Sequence, residues 1–371
     1  MKVLITGANG FVGKNLKLFL KERSDIEILS FFKEDSSSLL FDLLSKVDFI
    51  FHLAGVNRSN DPKEFISGNE VLTQKISDAV KKTNRKIPII YTSSIQAKLD
   101  SSYGLSKRNA ENILLNLCQD FKIPVHIFRL PNIFGKWSKP NYNSVVSTFC
   151  YNITRDIPIH INDPNDLVSL VHIDDVIKHF IKIMDEKEKN LNGKDFKFIN
   201  PTYEIMVGDL AKQLYAFKEM RNSSILERVG TGLVRSLYST YISYLPQQKF
   251  SYPVKIHDDL RGRFVEMLKT QDSGQFSYFT VLPNMTRGEH YHHSKTEKFL
   301  VIKGSACFKF LHLDTAETYE LIVNGDKPEI VESIPGWAHN IKNIGNDEMV
   351  VMLWANENFD RSNPDTFSYQ I

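Results

Sequence analysis

The sequence predicts an α/β domain with a doubly wound parallel sheet, followed by a second domain that is all β. Up to about residue 243, short apolar runs alternate with longer segments of helical spacing, as in a parallel sheet flanked by helices. From residue 244 onward, short β-branched and aromatic runs follow one another between Gly, Pro, Asn and Asp. The length of 371 residues suits more than one domain. We therefore expect domains at 1–243 and 244–371.

Each expected element has its own pattern. In the first domain the expected strands are Val3–Thr6, Ile26–Phe31, Phe49–His52, Ile87–Ser93 and Val125–Arg129. Wider apolar spacing predicts helices over Phe11–Arg23, Glu64–Thr83 and Ser106–Phe121. In the second domain the expected strands include Phe276–Leu282, Lys298–Lys303, Ala306–Leu313, Thr318–Val323 and Met349–Ala355. Pro and Gln residues within Tyr241–Tyr252 interrupt both patterns, so the domains are expected to join there.

Composition and charge exclude several classes of protein. With 42% hydrophobic and 24% charged residues, the chain is expected to be globular rather than disordered. A net charge of +2 is too balanced for a protein that binds nucleic acid through phosphates. No apolar run reaches the roughly 18 residues of a membrane-spanning helix. Three widely spaced cysteines argue against a disulfide framework, so we expect a cytoplasmic protein.

A glycine-rich segment directly follows the first expected strand and opens the first helix. Glycines in this strand–turn–helix setting allow a tight turn and let the backbone approach a pyrophosphate at the helix N-terminus. The segment therefore predicts a dinucleotide cofactor. Its cofactor-binding residues are expected to be Gly7, Asn9, Gly10, Phe11, Val12 and Gly13.

The end of the second strand bears on which dinucleotide binds. An acidic residue there would bind the ribose hydroxyls of NAD and repel a 2′-phosphate. This chain has Ser30-Phe31-Phe32-Lys33 instead, and Lys33 offers a cation for that phosphate. The pattern favours NADPH, with the alternative that Lys33 is an ordinary solvated lysine.

Tyr103 and Lys107 form a candidate catalytic pair. They are four residues apart and share a face at the start of a helix. A neighbouring ammonium favours the phenolate and is expected to lower the pKa of the tyrosine toward neutrality. Ser94, at the end of the preceding strand, is placed to bond the same substrate oxygen. Tyr-x-x-x-Lys is common by chance, so the alternative is an ordinary surface pair.

Together these motifs resemble the extended short-chain dehydrogenase/reductase family. The match also includes Asp42-Leu43, His52-Leu53-Ala54-Gly55, Arg129-Leu130-Pro131-Asn132-Ile133-Phe134-Gly135 and Val171-His172-Ile173-Asp174-Asp175. The resemblance implies that Tyr103 donates a proton, Lys107 lowers its pKa and holds the ribose, and Ser94 orients the carbonyl. It implies that Asp42, Leu43 and Ala54 bind the cofactor and that Asn132 contacts substrate. The segment from Ser94 to Tyr103 is short for the family, which leaves Ser93 as the alternative serine.

The second domain carries a candidate metal site. His290 and His292 are two apart, so on a strand they point to the same side, whereas His293 points away. With Glu297 and the distant His339 they offer three nitrogens and a carboxylate, which suit Zn, Fe, Ni or Mn. This layout resembles the two metal-binding motifs of the cupin family, which implies a β-barrel and most simply a zinc ion. The alternative is a metal-free barrel.

A second resemblance concerns the same domain. Asp259-Leu260-Arg261-Gly262-Arg263-Phe264-Val265-Glu266 and Arg287-Gly288-Glu289-His290-Tyr291 are similar to segments of nucleotide-4-keto-sugar 3,5-epimerases. The resemblance implies substrate contacts by this domain and makes His290 a base instead of a ligand. The spacing to Glu297 and His339 favours a ligand, and the base is left unassigned. The expected substrate contacts here are Arg261, Arg263, Glu266 and Arg287.

The two halves suggest consecutive chemistry on one ketone. A C4 ketone acidifies the neighbouring C3 and C5 protons, which suits epimerisation by the second domain, and it accepts hydride in the first. The arrangement resembles the CapF-type enzymes of bacterial capsular polysaccharide synthesis. That resemblance implies a UDP-2-acetamido-2,6-dideoxy-4-keto-hexose that is epimerised at C3, then reduced with NADPH to a UDP-N-acetyl-6-deoxy-talosamine-type sugar, by a homodimer.

Two other interpretations are open. In one, an NADP-dependent dehydrogenase is fused to a metal-dependent cupin oxygenase or isomerase. In the other, the chain is a non-catalytic sensor of NADP(H) and a sugar.

Overall fold

The computed structural model describes residues 1–186, 196–362 and 364–371. The chain forms two compact units. Unit 1 comprises Met1–Leu214 and Gly232–Pro246, and unit 2 comprises Tyr215–Thr231 and Gln247–Ile371. Residues 215–231, which the sequence assigned to the first domain, therefore group with the second unit.

Unit 1 is built on a parallel sheet. Its five strands lie in the order β2-β1-β3-β4-β5. They are β1 (Lys2–Thr6), β2 (Glu27–Phe31), β3 (Phe49–His52), β4 (Ile89–Ser94) and β5 (Val125–Leu130). The helices between them are α1 (Phe11–Lys21), α2 (Ser37–Leu44), α3 (Pro62–Phe65), α4 (Leu72–Lys82) and α5 (Ser102–Phe121). A π-helical turn (Ile66–Val71) connects α3 to α4, and a 3₁₀ turn (Ile95–Lys98) follows β4.

The remaining elements of unit 1 are a second, smaller sheet and four helices. A small sheet contains β6 (Asn132–Phe134), β7 (Leu167–His172) and β8 (Tyr203–Met206). The helices here are α6 (Val145–Thr154), α7 (Ile173–Glu186), α8 (Val207–Ser223), which continues into unit 2, and α9 (Gly232–Ser243). None of the described helices is both long and apolar enough to cross a lipid bilayer.

The parallel sheet is buried on both faces. Adjacent strand residues point to opposite sides, so Ile5 packs into a cluster with Leu16 and Phe180, while Leu4 packs into another with Ile76 and Leu114. Helices α1 and α7 therefore cover one face, and α4 and α5 cover the other. This two-sided cover explains the continuous apolar strands in the sequence, and it leaves the carboxyl edge of the sheet for a binding site.

Unit 2 is mostly antiparallel β-structure in two sheets. One sheet has the order β10-β11-β12-β19-β14-β17, with β9 beside β11, and the other has the order β16-β15-β18-β13-β20. A 3₁₀ turn (Gln247–Lys249) precedes β10. The strands are β9 (Ile225–Leu226), β10 (Ile256–Asp259), β11 (Gly262–Thr270), β12 (Gln275–Val281), β13 (Thr286–Tyr291), β14 (Glu297–Lys303), β15 (Ser305–His312), β16 (Thr318–Asn324), β17 (Ile330–Glu332), β18 (Trp337–Asn343), β19 (Met349–Ala355) and β20 (Phe367–Ser368).

The two sheets of unit 2 share one apolar core. Val301 and Val351 from the larger sheet pack in the same cluster as Phe308 and Ile341 from the smaller one. Strand pairing among the described residues leaves these sheets separate, so the closed barrel expected from the sequence is not seen. The segment 215–231 belongs here because β9 pairs with β11 and Arg228 forms an ion pair with Asp272 at 2.7 Å.

Several predicted elements agree closely with those observed. The strand Met349–Ala355 has the predicted bounds, and the five parallel strands deviate by two residues or fewer. The predicted helix Glu64–Thr83 is instead α3, the π-helical turn and α4 in succession. Helix α5 begins at Ser102 rather than Ser106, because the Ser101 hydroxyl accepts a hydrogen bond from the Gly104 amide at 3.0 Å and caps it there.

Candidate functional site

A cavity of about 490 Å³ lies at the carboxyl edge of the parallel sheet in unit 1. Its lining includes the glycine-rich turn, the end of β4, the start of α5 and the loop after β5. It therefore brings together Gly7, Asn9, Gly10, Phe11, Val12, Gly13, Ser94, Tyr103, Lys107 and Asn132. These residues come from separate motifs of the sequence and share one space in the fold.

The glycine-rich turn fits a dinucleotide. Gly7 has φ +71°, and a Cβ there would lie 2.7 Å from the Ala54 nitrogen. A Cβ on Gly13 would lie 2.2 Å from the Gly7 carbonyl oxygen, so both positions require glycine. No described side chain caps α1 at Gly10, which leaves first-turn amides available to an anion. These amides and the helix dipole suit a pyrophosphate.

Four of the predicted cofactor residues are not among the described residues that line this cavity. Lys33 lies in the exposed turn after β2, and Asp42 and Leu43 lie within α2. Ala54 lies between two lining residues, and its amide donates to the Thr6 hydroxyl at 3.2 Å. Since Lys33, Asp42 and Leu43 do not line the cavity, their contact with a cofactor stays a prediction.

Tyr103 lies in the first turn of α5, with its phenol beside the Ser94 hydroxyl. Burial raises the pKa of Tyr103, and the hydrogen bond with Ser94 opposes this shift. The direction is opposite to the lowering by Lys107 that the sequence predicts, because burial is the largest influence on the phenol; the Lys107 ammonium donates to the Thr92 carbonyl oxygen at 3.0 Å. The phenol therefore keeps its proton at neutral pH, as a proton donor requires.

Lys107 is buried one turn further along α5. Burial lowers its pKa to about 8, and the carboxylate of Glu111 partly opposes this shift. Its ammonium also lies 5.1 Å from the centre of the Tyr91 ring. The side chain thus lines the cavity, and its contacts with Thr92 and Tyr91 limit its freedom to move.

Ser93 has a different environment from Ser94. Its hydroxyl donates to the Glu111 carboxylate at 2.5 Å, and Glu111 also accepts two hydrogen bonds from Arg129, at 2.9 and 2.6 Å. The Ser94 hydroxyl instead accepts from the Gln96 amide at 3.1 Å and faces Tyr103. Of the two serines, Ser94 is the one beside the phenol.

The cavity also contains residues that no motif indicated. Arg58 and Lys139 add positive charge to its wall, and Trp137 and Tyr142 add aromatic surface. The Arg58 guanidinium donates to the Asn141 carbonyl oxygen at 3.3 Å. These residues lie on loops, where the sequence has no periodicity that would assign them to a site.

Unit 2 has a cavity of its own, of about 410 Å³, beside a cluster of three histidines and one glutamate. The ligand atoms of His290, His292, Glu297 and His339 all lie within 4.8 Å of one another. A Glu297 oxygen is 3.2 Å from His292 Nε2, 3.4 Å from His339 Nε2 and 3.9 Å from His290 Nε2. The adjacent His293 is exposed, but β13 ends at Tyr291, so His292 and His293 follow the strand and do not continue the alternation that the sequence predicts.

The cluster fits a divalent transition metal. His290 Nε2 and His339 Nε2 are buried without a hydrogen-bond partner among the described residues. His292 Nδ1 contacts the Asp365 carbonyl oxygen at 2.7 Å; a carbonyl only accepts, so Nδ1 holds the proton and Nε2 keeps its lone pair. Burial alone raises the pKa of Glu297, but the three imidazoles hold it well below the ordinary value. Three imidazoles and an ionised carboxylate suit Zn and similar ions.

The predicted substrate residues of unit 2 divide into two groups. Arg261, Glu266 and Arg287 line the second cavity, and both arginines form ion pairs with Asp259, at 2.6 and 3.3 Å. Arg263 is not among the described residues that line this cavity, and it forms an ion pair with Asp258 at 2.8 Å. Phe264 and Glu266 of β11 line the cavity, and Arg263, next to Phe264 on an alternating strand, faces the other side, so its contact with substrate stays a prediction.

Sequence reasoning also missed residues around the metal-ligand cluster. Lys295, buried in the loop between two expected ligands, lies 3.6 Å from Glu297. Gln275 and Thr366 line the same cavity from distant parts of the chain. Their separation along the sequence from the histidines leaves no motif that connects them.

Known proteins resemble the chain over its whole length. Residues 3–198 match the NAD dependent epimerase/dehydratase family, and residues 257–367 match the polysaccharide biosynthesis C-terminal domain. The UDP-2-acetamido-2,6-beta-L-arabino-hexul-4-ose reductase of Pseudomonas aeruginosa is 58% identical over 371 residues, covering 100% of this chain and 99% of the relative.

Solved structures extend the comparison. The capsular polysaccharide assembling protein CapF from Staphylococcus aureus aligns with a TM-score of 0.92 and 40% identity, covering 100% of both chains. UDP-glucuronic acid 4-epimerase from Bacillus cereus, in complex with NAD, aligns with a TM-score of 0.56 and 18% identity over 66% of this chain and 96% of that chain, which shows the fold alone. Because the family match spans more than half of the residues and a relative at 58% identity covers all of them, this chain belongs to the NAD dependent epimerase/dehydratase family.

Proposed function

We propose that this protein acts on a UDP-2-acetamido-2,6-dideoxy-4-keto-hexose for capsule synthesis. In the proposal, unit 2 epimerises the sugar at C3 and unit 1 reduces C4 with NADPH, giving a UDP-N-acetyl-6-deoxy-talosamine-type sugar. The observation that carries it is the grouping of Tyr103, Ser94 and Lys107 beside a glycine-rich turn. The reductase named for the relative at 58% identity supports the substrate class.

The geometry of unit 1 supports carbonyl reduction. NADPH, when bound, supplies a hydride. The Tyr103 phenol holds a proton at neutral pH and donates it to the C4 oxygen as negative charge develops there. The Ser94 hydroxyl, beside the phenol, orients that oxygen. The Lys107 ammonium stabilises the phenolate that remains, since a positive charge nearby favours the deprotonated phenol.

The geometry of unit 2 supports exchange of a proton next to the ketone. A bound divalent metal supplies Lewis-acid character or braces the fold. Arg261 and Arg287, held by Asp259, place two guanidinium groups at the cavity, which suits a diphosphate. Phe264, Phe279 and neighbouring side chains give the cavity an apolar wall against which a sugar ring can pack.

Further parts of the proposal rest on the sequence patterns. We propose that the bound ion is zinc, held by the cluster in unit 2, and that unit 2 is a cupin-type domain despite its two separate sheets. The ligand spacing supports both. We further propose that the protein is a cytoplasmic homodimer.

The test follows deuterium and hydride separately in the full chain. The UDP-4-keto-sugar is incubated in deuterated water with and without NADPH, and the ring positions are analysed by NMR and mass spectrometry. Without NADPH we expect deuterium at C3, and with NADPH we expect reduction at C4. Tyr103→Phe is expected to abolish reduction and to keep the exchange, because Tyr103 lies in unit 1.

Two controls make the outcome specific. His339→Ala removes one of the four clustered side chains and is expected to abolish exchange while the folded chain still binds NADPH. Oxygen uptake is measured in parallel, because epimerisation consumes none. Absence of deuterium at every ring carbon of the ketose in the wild-type chain would refute the epimerase part, and uptake of oxygen would indicate an oxygenase.

A further inference from the structure

We propose that Asp365 is a positioning residue that holds two of the metal ligands, His292 and Glu297, in binding geometry. The inference rests on the proposed metal function of the cluster. Asp365 lies more than 65 positions beyond these residues in the sequence, and it is not one of the four clustered side chains.

The carboxylate of Asp365 organises the loop between the two ligands. It accepts hydrogen bonds from three successive backbone amides, those of His293 at 2.9 Å, Ser294 at 2.9 Å and Lys295 at 2.8 Å. It also accepts one from the Ser294 hydroxyl at 3.0 Å. Hydrogen bonds to an ionised acceptor are stronger than neutral ones, so one side chain holds three successive residues of the loop.

The main chain of Asp365 acts on a ligand directly. Its carbonyl oxygen accepts from His292 Nδ1 at 2.7 Å, which leaves Nε2 as the metal-binding atom. The Thr366 hydroxyl lies 3.5 Å from the same nitrogen. A hydrogen bond on the non-ligating nitrogen fixes both the tautomer and the ring orientation of a metal-binding histidine.

Asp365 is itself held in place by strand pairing. The residues that follow it form β20, in which Ser368 pairs with His290 and Phe367 pairs with Tyr291. The rings of Tyr291 and Phe367 stack with their centres 5.3 Å apart. Asp365 also has φ +37°, a conformation that Asp and Asn adopt more readily than other residues with side chains. Its position therefore depends on β13, the strand that carries the ligand His290.

These contacts link three of the four expected ligands to one short segment. Without the carboxylate, residues 293–295 lose these four hydrogen bonds and the loop keeps the bond from the Thr296 amide to Asn356 Oδ1, so His292 and Glu297 must be ordered further when the ion binds. That ordering reduces affinity, because conformational freedom is lost at the moment of binding. Substitution of such outer partners typically lowers metal affinity by about 10-fold to 100-fold.

The test measures metal affinity of the full chain. Apo-protein is titrated with Zn²⁺ against a chromogenic chelator, and with Co²⁺ to record the visible spectrum of the bound ion. The variants are Asp365→Ala and Asp365→Asn, of which Asn tolerates the same backbone conformation. The matched control is Asp360→Ala, which removes another loop carboxylate; that carboxylate accepts from the Ser362 amide and hydroxyl and from no residue of the cluster.

We expect one ion per chain in the wild type and about 10-fold to 100-fold weaker binding in Asp365→Ala. Asp365→Asn is expected to bind with intermediate affinity, and Asp360→Ala is expected to match the wild type. Equal affinity in the wild type and both Asp365 variants would overturn this inference and leave the metal site standing. A wild type that binds neither ion would overturn both. If Asp365→Ala does not fold, the comparison of Asp365→Asn with Asp360→Ala decides.

Discussion

Ser93 donates a 2.5 Å hydrogen bond to the carboxylate of Glu111, one turn of α5 beyond Lys107. Arg129 completes this arrangement with two hydrogen bonds to the same carboxylate. The neighbouring serine, Ser94, is thereby left as the residue beside the Tyr103 phenol. The ion pair between Glu111 and Arg129, together with Ser93, therefore connects strands β4 and β5 to α5, the helix that carries Tyr103.

Breaking this ion pair is expected to destabilise unit 1 strongly. Glu111→Gln leaves the guanidinium of Arg129, only 14% exposed, without its counter-charge. Removing one partner of a buried pair costs about 3–5 kcal/mol in the free energy of unfolding. Urea unfolding followed by circular dichroism measures the change. Asp100→Asn, which breaks the exposed pair with Arg108, is the control and is expected to cost under about 1 kcal/mol. A change of under about 1 kcal/mol for both Glu111→Gln and Asp100→Asn would show that the Glu111–Arg129 pair does not stabilise unit 1.

The reductase activity is expected to fall as the pH rises through about 8. Burial lowers the pKa of Lys107 to about 8, so the ammonium that favours the Tyr103 phenolate is lost above that pH. The pH dependence of kcat/KM for reduction reports this group in the free enzyme. Glu111 raises the pKa of Lys107, so Glu111→Gln is expected to move the falling limb to lower pH. A limb that stays in place or moves upward would show that another group controls it.

His52 is expected to make the protein sensitive to acid. Burial lowers the pKa of His52 to about 3, compared with 6.5 for the ordinary group. Its ring nitrogens lie 2.8 Å from the Thr6 hydroxyl and 2.9 Å from the Thr73 hydroxyl. The Thr73 hydroxyl donates to the Asn69 carbonyl oxygen, so it accepts from His52 Nε2, and Nδ1 is left as an unprotonated acceptor.

The sign follows from the two pKa values. The unfolded chain takes up the proton below about pH 6.5 and the folded chain only near pH 3, so acid favours unfolding within that window. His52 contributes a slope of about 1.4 kcal/mol per pH unit there. His52→Gln is expected to reduce the slope of unfolding free energy between pH 6 and 4 by about this amount. Urea unfolding at several pH values measures it, and an unchanged slope would mean that His52 is protonated in the folded chain.

The two arginines of β11 and β13 are expected to differ in their effect on substrate. Arg287 lines the unit 2 cavity with only 13% of its side chain exposed, whereas Arg263 lies outside that cavity as described. Loss of a hydrogen bond to a charged group costs about 1.5–3 kcal/mol. Arg287→Ala is therefore expected to raise KM for deuterium exchange by about 10-fold to 100-fold. Arg263→Ala, the matched control, is expected to keep the wild-type KM, and a reversed order would contradict the assignment of the cavity face.

Local patterns predicted most of the elements. The strand Met349–Ala355 and the parallel strands of unit 1 are continuous apolar runs, and such runs specify burial wherever they occur in a chain. The steric limit on Gly13 arises within the strand–turn–helix segment, from the Gly7 carbonyl oxygen, whereas the limit on Gly7 comes from Ala54, which follows β3. The interruption of Glu64–Thr83 by a π-helical turn has no comparable signal, since Asn69 bonds both backbone groups of Val56, far from it in sequence.

The limits of the sequence are clearest where two adjacent residues have different roles. Ser93 and Ser94 have the same chemistry and are adjacent at the end of β4, and only their tertiary contacts, with Glu111 and with Tyr103, distinguish them. Arg263 and Arg287 likewise differ through the sheet face on which each lies. Asp365 carries no motif, because its partners are backbone amides more than 65 positions earlier.

By itself, then, the amino-acid order determined the α/β and β elements, the glycine-rich turn, the Tyr103–Lys107 pair and the four clustered side chains of unit 2. Most of these depend on residue type and short-range spacing, which the chain carries locally; His339, distant in sequence from the other three side chains, is included through the resemblance to the cupin motifs. The tertiary structure alone decided which serine meets Tyr103, which arginine enters the cavity and which unit receives residues 215–231. Those outcomes depend on contacts between distant segments, and such contacts form only when burial and hydrogen bonding are satisfied for the whole unit together.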